Sequence, residues 1–158
     1  MHRNTLNRIY ELRALSAFAS CTDAELEKID TCGAHFSLGI NRTVVRKGAV
    51  PRECFVIRKG WVEVSDGDRQ VAARGPGSWI GEMALVDRTV RCATARTLTP
   101  VELLTFDAGE LFWLLRNAPH LAASIRGDVG LRREENAAAA TFKTGKFHKA
   151  WEPSLSFG

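Results

Sequence analysis

Gly81, Glu82 and Arg91 are the residues of this 158-residue chain whose types and spacing carry chemistry. They lie in Gly75-Pro76-Gly77-Ser78-Trp79-Ile80-Gly81-Glu82-Met83-Ala84-Leu85, followed by Arg91-Cys92-Ala93-Thr94. A glycine at 81 lets backbone amides come close to an anion, and the residues after it begin a helical turn whose free N–H groups point at that anion. Arg91, entering the next strand, closes on it from the other side with a planar guanidinium fork suited to phosphate. Glu82 does not serve a phosphate, because like charges would meet. Its ionised carboxylate is a pure acceptor, matched to a sugar hydroxyl further along the same ligand. One acceptor and one cationic fork, nine residues apart around a glycine-opened turn, describe a site for a ribose-phosphate. The plain alternative is a turn glycine beside a surface Glu–Arg pair worth under about 1 kcal/mol.

Other reactive constellations are not visible in the pattern. His2, His35, His120 and His148 are scattered, with no i, i+4 pair and no nearby carboxylate cluster, so neither a metal nor a general base is expected. Ser78 lacks the G-x-S-x-G elbow of a strained nucleophile, and no cysteine sits beside a histidine. The chain is therefore expected not to be an enzyme and to need no cofactor. Cys21, Cys32, Cys54 and Cys92 are spaced 11, 22 and 38 apart, without the C-x-x-C pairs that chelate zinc. They read as buried, reduced thiols of a cytoplasmic protein. Trp79, beside the glycine, reads as packing rather than as a stacking platform.

The elements that must position these residues follow from periodicity. Residues 1–33 read as a helical segment. Leu6, Ile9, Tyr10, Leu12 and Leu15 give one apolar face, and a second helix begins at Thr22, where Thr22-Asp23-Ala24-Glu25 is a capping box. Leu26 and Ile29 face inward in it, and Gly33 stops it. From 34 to 107 the texture changes to short β-branched runs punctuated by turn signals, the pattern of a mainly β, jelly-roll barrel. The clearest strands are 43–46, 54–58, 61–65, 70–73, 93–97 and 101–106, with Lys59-Gly60 and Asp66-Gly67-Asp68 as tight turns. Residues 108–140 return to a helical period. Leu111, Phe112, Leu114 and Leu115 form one stripe, ended by Asn117-Ala118-Pro119, and Leu121, Ile125 and Val129 form a second. Gly127 and Gly130 each weaken that last helix by about 1 kcal/mol relative to alanine and mark it as a hinge. In the tail, 141–158, Phe142, Phe147, Trp151 and Phe157 alternate with Lys143, Lys146 and Lys149; docking on its own domain, binding a partner and remaining disordered all stay open.

With 45% apolar and 25% charged residues, the chain is ordinary globular material, long enough for a single sizeable core without metal or disulfide staples. No apolar run approaches the roughly 20 residues that cross a bilayer, and Met-His-Arg-Asn is not followed by a secretory apolar region. The net charge of +4 suits an anionic ligand and indicates little more.

The segment Gly81-Glu82-Met83-Ala84-Leu85 … Arg91-Cys92-Ala93-Thr94 resembles the phosphate-binding cassette of the cyclic nucleotide-binding domain family, whose pattern G-E-x-A-L followed by R-x-A-T it reproduces without a gap. Arg46-Lys47-Gly48 and the run from Phe55 to Val62 agree with the family, and the likeness covers about residues 15 to 135. The cassette spans 75–95. The resemblance implies that Glu82 takes the ribose 2′-hydroxyl and Arg91 the cyclic phosphate, with backbone groups of Gly81, Met83, Ala84, Cys92 and Ala93 completing the cradle. Val62 and Ile80 supply apolar wall near the base, and Arg132, Arg133 and Asn136 lie where a closing helix presents a lid to it. Members that favour cyclic GMP often carry threonine or serine after the arginine; Cys92 stands there and points to cyclic AMP.

The function so implied is a regulatory sensor that passes occupancy by cyclic nucleotide to a protein effector, with a homodimer as one possible state. Alternatives are the sensor part of a catabolite-activator-type transcription regulator, or of a larger cyclic-nucleotide-regulated enzyme or channel, or a barrel that no longer binds. Only about 20 residues follow Ala140, too few for a DNA-binding helix-turn-helix in this chain.

Overall fold

The computed structural model describes residues 3–127. Helix α1 (Arg3–Arg13) leads through a 3-10 turn (Ser16–Phe18) into α2 (Asp23–Cys32). Eight strands follow: β1 (Ala34–Leu38), β2 (Thr43–Val45), β3 (Glu53–Lys59), β4 (Val62–Asp66), β5 (Arg69–Arg74), β6 (Trp79–Ile80), β7 (Thr94–Thr97) and β8 (Val101–Asp107). Helix α3 (Glu82–Asp87) interrupts them between β6 and β7, α4 (Ala108–Asn117) succeeds them, and α5 occupies residues 119–127.

The strands pair antiparallel as nested partners: β1 with β8, β2 with β7, β3 with β6 and β4 with β5. Two further pairings, β3 with β8 and β4 with β7, gather them into two four-stranded sheets ordered β1-β8-β3-β6 and β2-β7-β4-β5. A long hairpin rolled on itself in this way is a jelly roll, the architecture expected for 34–107.

Two apolar cores explain the strand sequences. Because successive side chains of a strand point to opposite faces, β3 sends Phe55 and Ile57 between the sheets and Cys54 and Val56 toward the helices. In β8, Leu103 joins the core between the sheets, whereas Leu104 and Phe106 pack under the helices. Both strands bury side chains on their two faces, so Cys54–Ile57 reads as a continuous apolar run and β8 as one interrupted only by Glu102 and Thr105. β4 lies in the outer sheet, with Val62 and Val64 buried and Glu63 only partly so.

The helices follow their sequence signals with three differences. Thr22 and Glu25 form the capping box, the Glu25 amide donating to Thr22 Oγ1 at 3.2 Å and the Thr22 amide to Glu25 Oε1 at 3.0 Å. In α1, Ile9 and Leu12 are buried, but Leu6 and Tyr10 are 54% and 78% exposed, so the apolar face is narrower than expected. Gly33 ends α2 in extended backbone (φ −71°, ψ 139°) rather than in a left-handed cap. Its missing side chain is needed for packing instead, since a Cβ there would sit 2.6 Å from Leu104 Cδ1. A second capping box, unanticipated, starts α4: the Glu110 amide donates to Asp107 Oδ1 at 2.7 Å and the Asp107 amide to Glu110 Oε1 at 2.9 Å. Strands β1 and β6 were likewise not among those expected.

The cysteines depart in part from the expected burial. Cys21 and Cys54 are buried, Cys32 is half-buried and Cys92 is exposed, and no disulfide joins them. Burial pushes the Cys21 thiol up to about 11, helped by the Glu25 carboxylate and opposed by Arg13. Among the described residues, no helix is long and apolar enough to cross a membrane.

Candidate functional site

The two residues of β6 aim the chain into the cassette by packing on opposite faces. Trp79 is buried on the helix side, edge-on to Phe18 with ring centres 5.8 Å apart and beside Phe106 at 6.0 Å, which supports its reading as a packing residue. Ile80 enters the core between the sheets, where Val62, at the start of β4, is also fully buried. Next, Gly81 takes a left-handed conformation (φ 82°, ψ 3°) and α3 begins. A side chain at this φ is strained, and a Cβ would also collide with the Arg91 guanidinium, so glycine is required twice over.

Glu82 opens α3 and is 0% exposed; Met83, Ala84 and Leu85 are buried behind it. The helix ends at Arg88, a non-glycine residue in the left-handed region (φ 55°, ψ 45°), whose amide returns to the Ala84 carbonyl. Arg91 lies in the irregular segment that follows. Strand β7 starts only at Thr94, so Arg91 does not enter a strand, contrary to expectation.

The position of Arg91 is nevertheless determined, by a neighbouring turn. Its amide donates to the Ala49 carbonyl at 2.9 Å, and its own carbonyl accepts from the Gly48 amide at 2.8 Å. The Lys47 amide donates to Thr94 Oγ1 at 3.0 Å. Arg46-Lys47-Gly48 and the arginine-to-threonine part of the cassette are thus one hydrogen-bonded unit, although more than forty residues of chain separate them. The side chain of Arg91 is 3% exposed, with Nη1 donating to the Gly81 carbonyl at 2.7 Å and Nη2 to the Glu53 carbonyl at 2.5 Å. The fork therefore bridges the cassette glycine and the start of β3. Nothing in the sequence pattern announces Glu53, because it takes part through its carbonyl, which every residue type carries.

Burial of both Glu82 and Arg91 removes the alternative of a surface ion pair. Desolvation lowers the pKa of the guanidinium, against the nearby carboxylates of Glu53 and Glu82, which favour its protonated form. An arginine stays charged under such pressure. The thiol of Cys54 is pushed well up, first by burial and then by the Glu82 carboxylate, with Arg91 opposing. Cys54 therefore senses both charges, and a carboxylate and a guanidinium share one desolvated neighbourhood, where charge-assisted bonds to a polar ligand are strongest.

Beyond Arg91, Cys92 is exposed and Ala93 is buried in the core between the sheets with Val62 and Ile80. The fold brings Gly81, Glu82, Met83, Ala84, Arg91, Cys92 and Ala93 into one continuous turn-helix-turn segment between β6 and β7. Arg132, Arg133 and Asn136, together with Gly130 and the tail 141–158, lie outside the described residues. Gly127 is the last described residue of α5, with open space where a Cβ would project.

The family model of the cyclic nucleotide-binding domain matches residues 36–118, more than half of the chain, and the chain belongs to that family. Over 90 residues it is 37% identical to a cyclic nucleotide-gated potassium channel of Rhizobium etli, a match covering 57% of this chain and 25% of the channel. The chain thus spans about a quarter of the length of the curated relatives it matches. Its fold is similar to that of the catabolite activator protein of Thermus thermophilus, with a TM-score of 0.72 at 20% identity over 82% of this chain and 63% of that one. It is also similar to the regulatory domain of Toxoplasma gondii PKA in co-crystals with cAMP, with a TM-score of 0.62 at 19% identity over 72% and 45% of the two chains.

Proposed function

We propose that the chain binds cyclic AMP through the 75–95 cassette and acts as a sensor whose occupancy is passed to a protein effector. One observation carries this reading: Arg91 is held in a buried position on two carbonyls, those of Gly81 and Glu53, beside the equally buried Glu82. A carbonyl is a neutral acceptor, and an anionic phosphate oxygen makes a stronger bond to the same fork. Cyclic phosphate then replaces carbonyls at Arg91, while Glu82 accepts from the ribose hydroxyl and Val62 and Ile80 form apolar wall.

Support for cyclic AMP over cyclic GMP comes from Cys92, whose thiol is a weak donor to a guanine edge, and from the cAMP held by the Toxoplasma regulatory domain. Calorimetric titration with each nucleotide tests the reading. Saturable heat with cyclic AMP is expected, weaker heat with cyclic GMP, and in Arg91→Ala a loss on the order of 100-fold, as for two charge-assisted bonds. Absence of heat with both nucleotides, or undiminished binding by Arg91→Ala, would defeat it.

A further inference from the structure

A cavity of about 360 Å³ opens where β1 and β2 meet β3 and β8, and none of its described lining residues belongs to the 75–95 cassette. Strand pairing explains why it exists. Phe36 lies opposite Leu103, so the two share a face, and Leu103 is buried in the core between the sheets. Phe36 nevertheless stays 52% exposed, so the core is incomplete at this point. In β2 the register shifts, because Thr43 and Val45 pair with the adjacent residues Arg96 and Ala95. The extra residue is Val44, and this bulge lets two consecutive side chains, Thr43 and Val44, line one cavity, whereas a regular strand points them to opposite faces. Two polar groups of the lining are unused among the described residues. Thr105 Oγ1 is buried without a hydrogen-bond partner. Glu53 is half-buried, and Arg91 takes its carbonyl while no ion pair holds its carboxylate.

We infer that this cavity is a second ligand site, taking a small organic cation: an ammonium group carried on an apolar body. The chemistry divides as the lining does. The Glu53 carboxylate attracts a cation and turns anions away, and its partial burial makes a charge-assisted bond stronger than one formed in open water. Thr43 and Thr105 supply hydroxyl oxygens that accept from further ammonium protons. Phe36, Val44 and Phe55 give apolar wall for the body of the ligand. A bare metal ion is a poor fit, because one carboxylate among apolar walls falls short of the roughly six oxygens that a hard cation takes. Glu53 gives its carbonyl to Arg91 and its carboxylate to this cavity, so the site adjoins the cassette through a single residue without sharing a ligand-binding group with it.

The test is an NMR titration of the full chain, without nucleotide, with phenethylamine and, separately, with its neutral counterpart phenethyl alcohol, following the amides of Phe36, Val44, Phe55 and Thr105. Saturable shifts of these amides are expected with the amine, and the alcohol is expected to bind more weakly on the order of tenfold, the effect of one charge-assisted bond. Glu53→Gln keeps the carbonyl and the shape, and is expected to bring the amine down to the level of the alcohol. Phe36→Ala removes exposed wall without opening the buried core and is expected to weaken both probes, so the test does not depend on one variant folding. Equal affinity for amine and alcohol, amine binding undiminished in Glu53→Gln, or shifts confined to residues 75–95 would each overturn the inference. So would shifts that never saturate. Calorimetry with cyclic nucleotide reads the cassette separately, so the two readings fail independently.

Discussion

At Arg91 one side chain holds two structural carbonyls and, in the proposed function, also holds the ligand. Removing it therefore has two readouts. Arg91→Lys keeps the charge but not the planar fork, so one ammonium nitrogen must stand in for the two that make the 2.7 Å bond to Gly81 and the 2.5 Å bond to Glu53. Thermal unfolding without ligand is expected to show a loss of about 1–3 kcal/mol, the consequence of buried carbonyls deprived of donors. Nucleotide affinity in the same variant is expected to fall between those of wild type and Arg91→Ala; affinity equal to wild type would mean that the fork geometry is immaterial. Cys92 offers a separate experiment, since it is exposed and its replacement leaves the core untouched. Cys92→Thr is expected to raise affinity for cyclic GMP relative to cyclic AMP. An unchanged ratio in a competition assay would show that base discrimination is set elsewhere. Glycine, carboxylate and arginine were legible as a group because each residue type has a distinct chemical use. The carbonyl of Glu53 was not legible, since it leaves no mark in side-chain type.

The helical elements depend most on Glu25. Its carboxylate closes the capping box of α2 and also accepts from the His120 amide at 2.8 Å and lies 2.8 Å from His120 Nδ1, at the start of α5. Burial works to raise the pKa of this 3%-exposed group, but hydrogen bonds from Thr22 and His120 outweigh it and bring the value down to about 2. The ionised form is thus favoured in the folded state. Its contribution, about 2–3 kcal/mol, is fully present above the unfolded value near 4.5 and is lost as pH falls through 2. Glu25→Gln is expected to flatten the stability profile between these limits and to lower stability at neutral pH; denaturant melts at stepped pH check both. The Thr22 box was readable because it is local, spanning four residues. Its link to His120 was not, because 95 residues separate the partners. In α5, Gly127 has open space around its Cα, so Gly127→Ala is expected to add about 1 kcal/mol of helix stability without a clash. If Gly127 serves as a hinge, the substitution also changes cyclic AMP affinity. Slower amide exchange in 119–127 with unchanged affinity would place the hinge outside that residue.

Across the whole molecule, the sequence patterns told more about cores than about edges. β3 and β8 stood out because both faces are buried, whereas β1 is exposed along most of its length and β6 has two residues, too few for any period to show. The inner sheet joins the two layers: one face meets the outer sheet, with Ala93, just before β7, in the core beside Val62 and Ile80, and the other carries the helices. A ligand at the cassette is therefore expected to be felt across the inner sheet, through the Glu53 carbonyl on β3 and the Arg52 carbonyl beside it, which accepts from the Ala108 amide at the start of α4. Hydrogen exchange with and without saturating cyclic AMP is expected to show protection gained in α4 and in residues 119–127. Protection confined to 75–95 would indicate binding without transmission. A full switch from 1% to 99% of one state requires about 5.5 kcal/mol of differential affinity, which sets the scale of protection to be sought.

The nested pairing of the strands also predicts an order of events during synthesis and folding. The β4–β5 hairpin, turning at Gly67, joins near neighbours, whereas β1 waits for β8, with Ala34 opposite Thr105. Such distant contacts close slowly, because the entropy of a long loop is lost before the pairing compensates for it. A nascent chain halted before Val101 carries every cassette residue yet lacks the strand that braces β3, and with it the support for Glu53 beneath Arg91. Competence to bind is therefore expected to arrive late, when the last strand closes the roll.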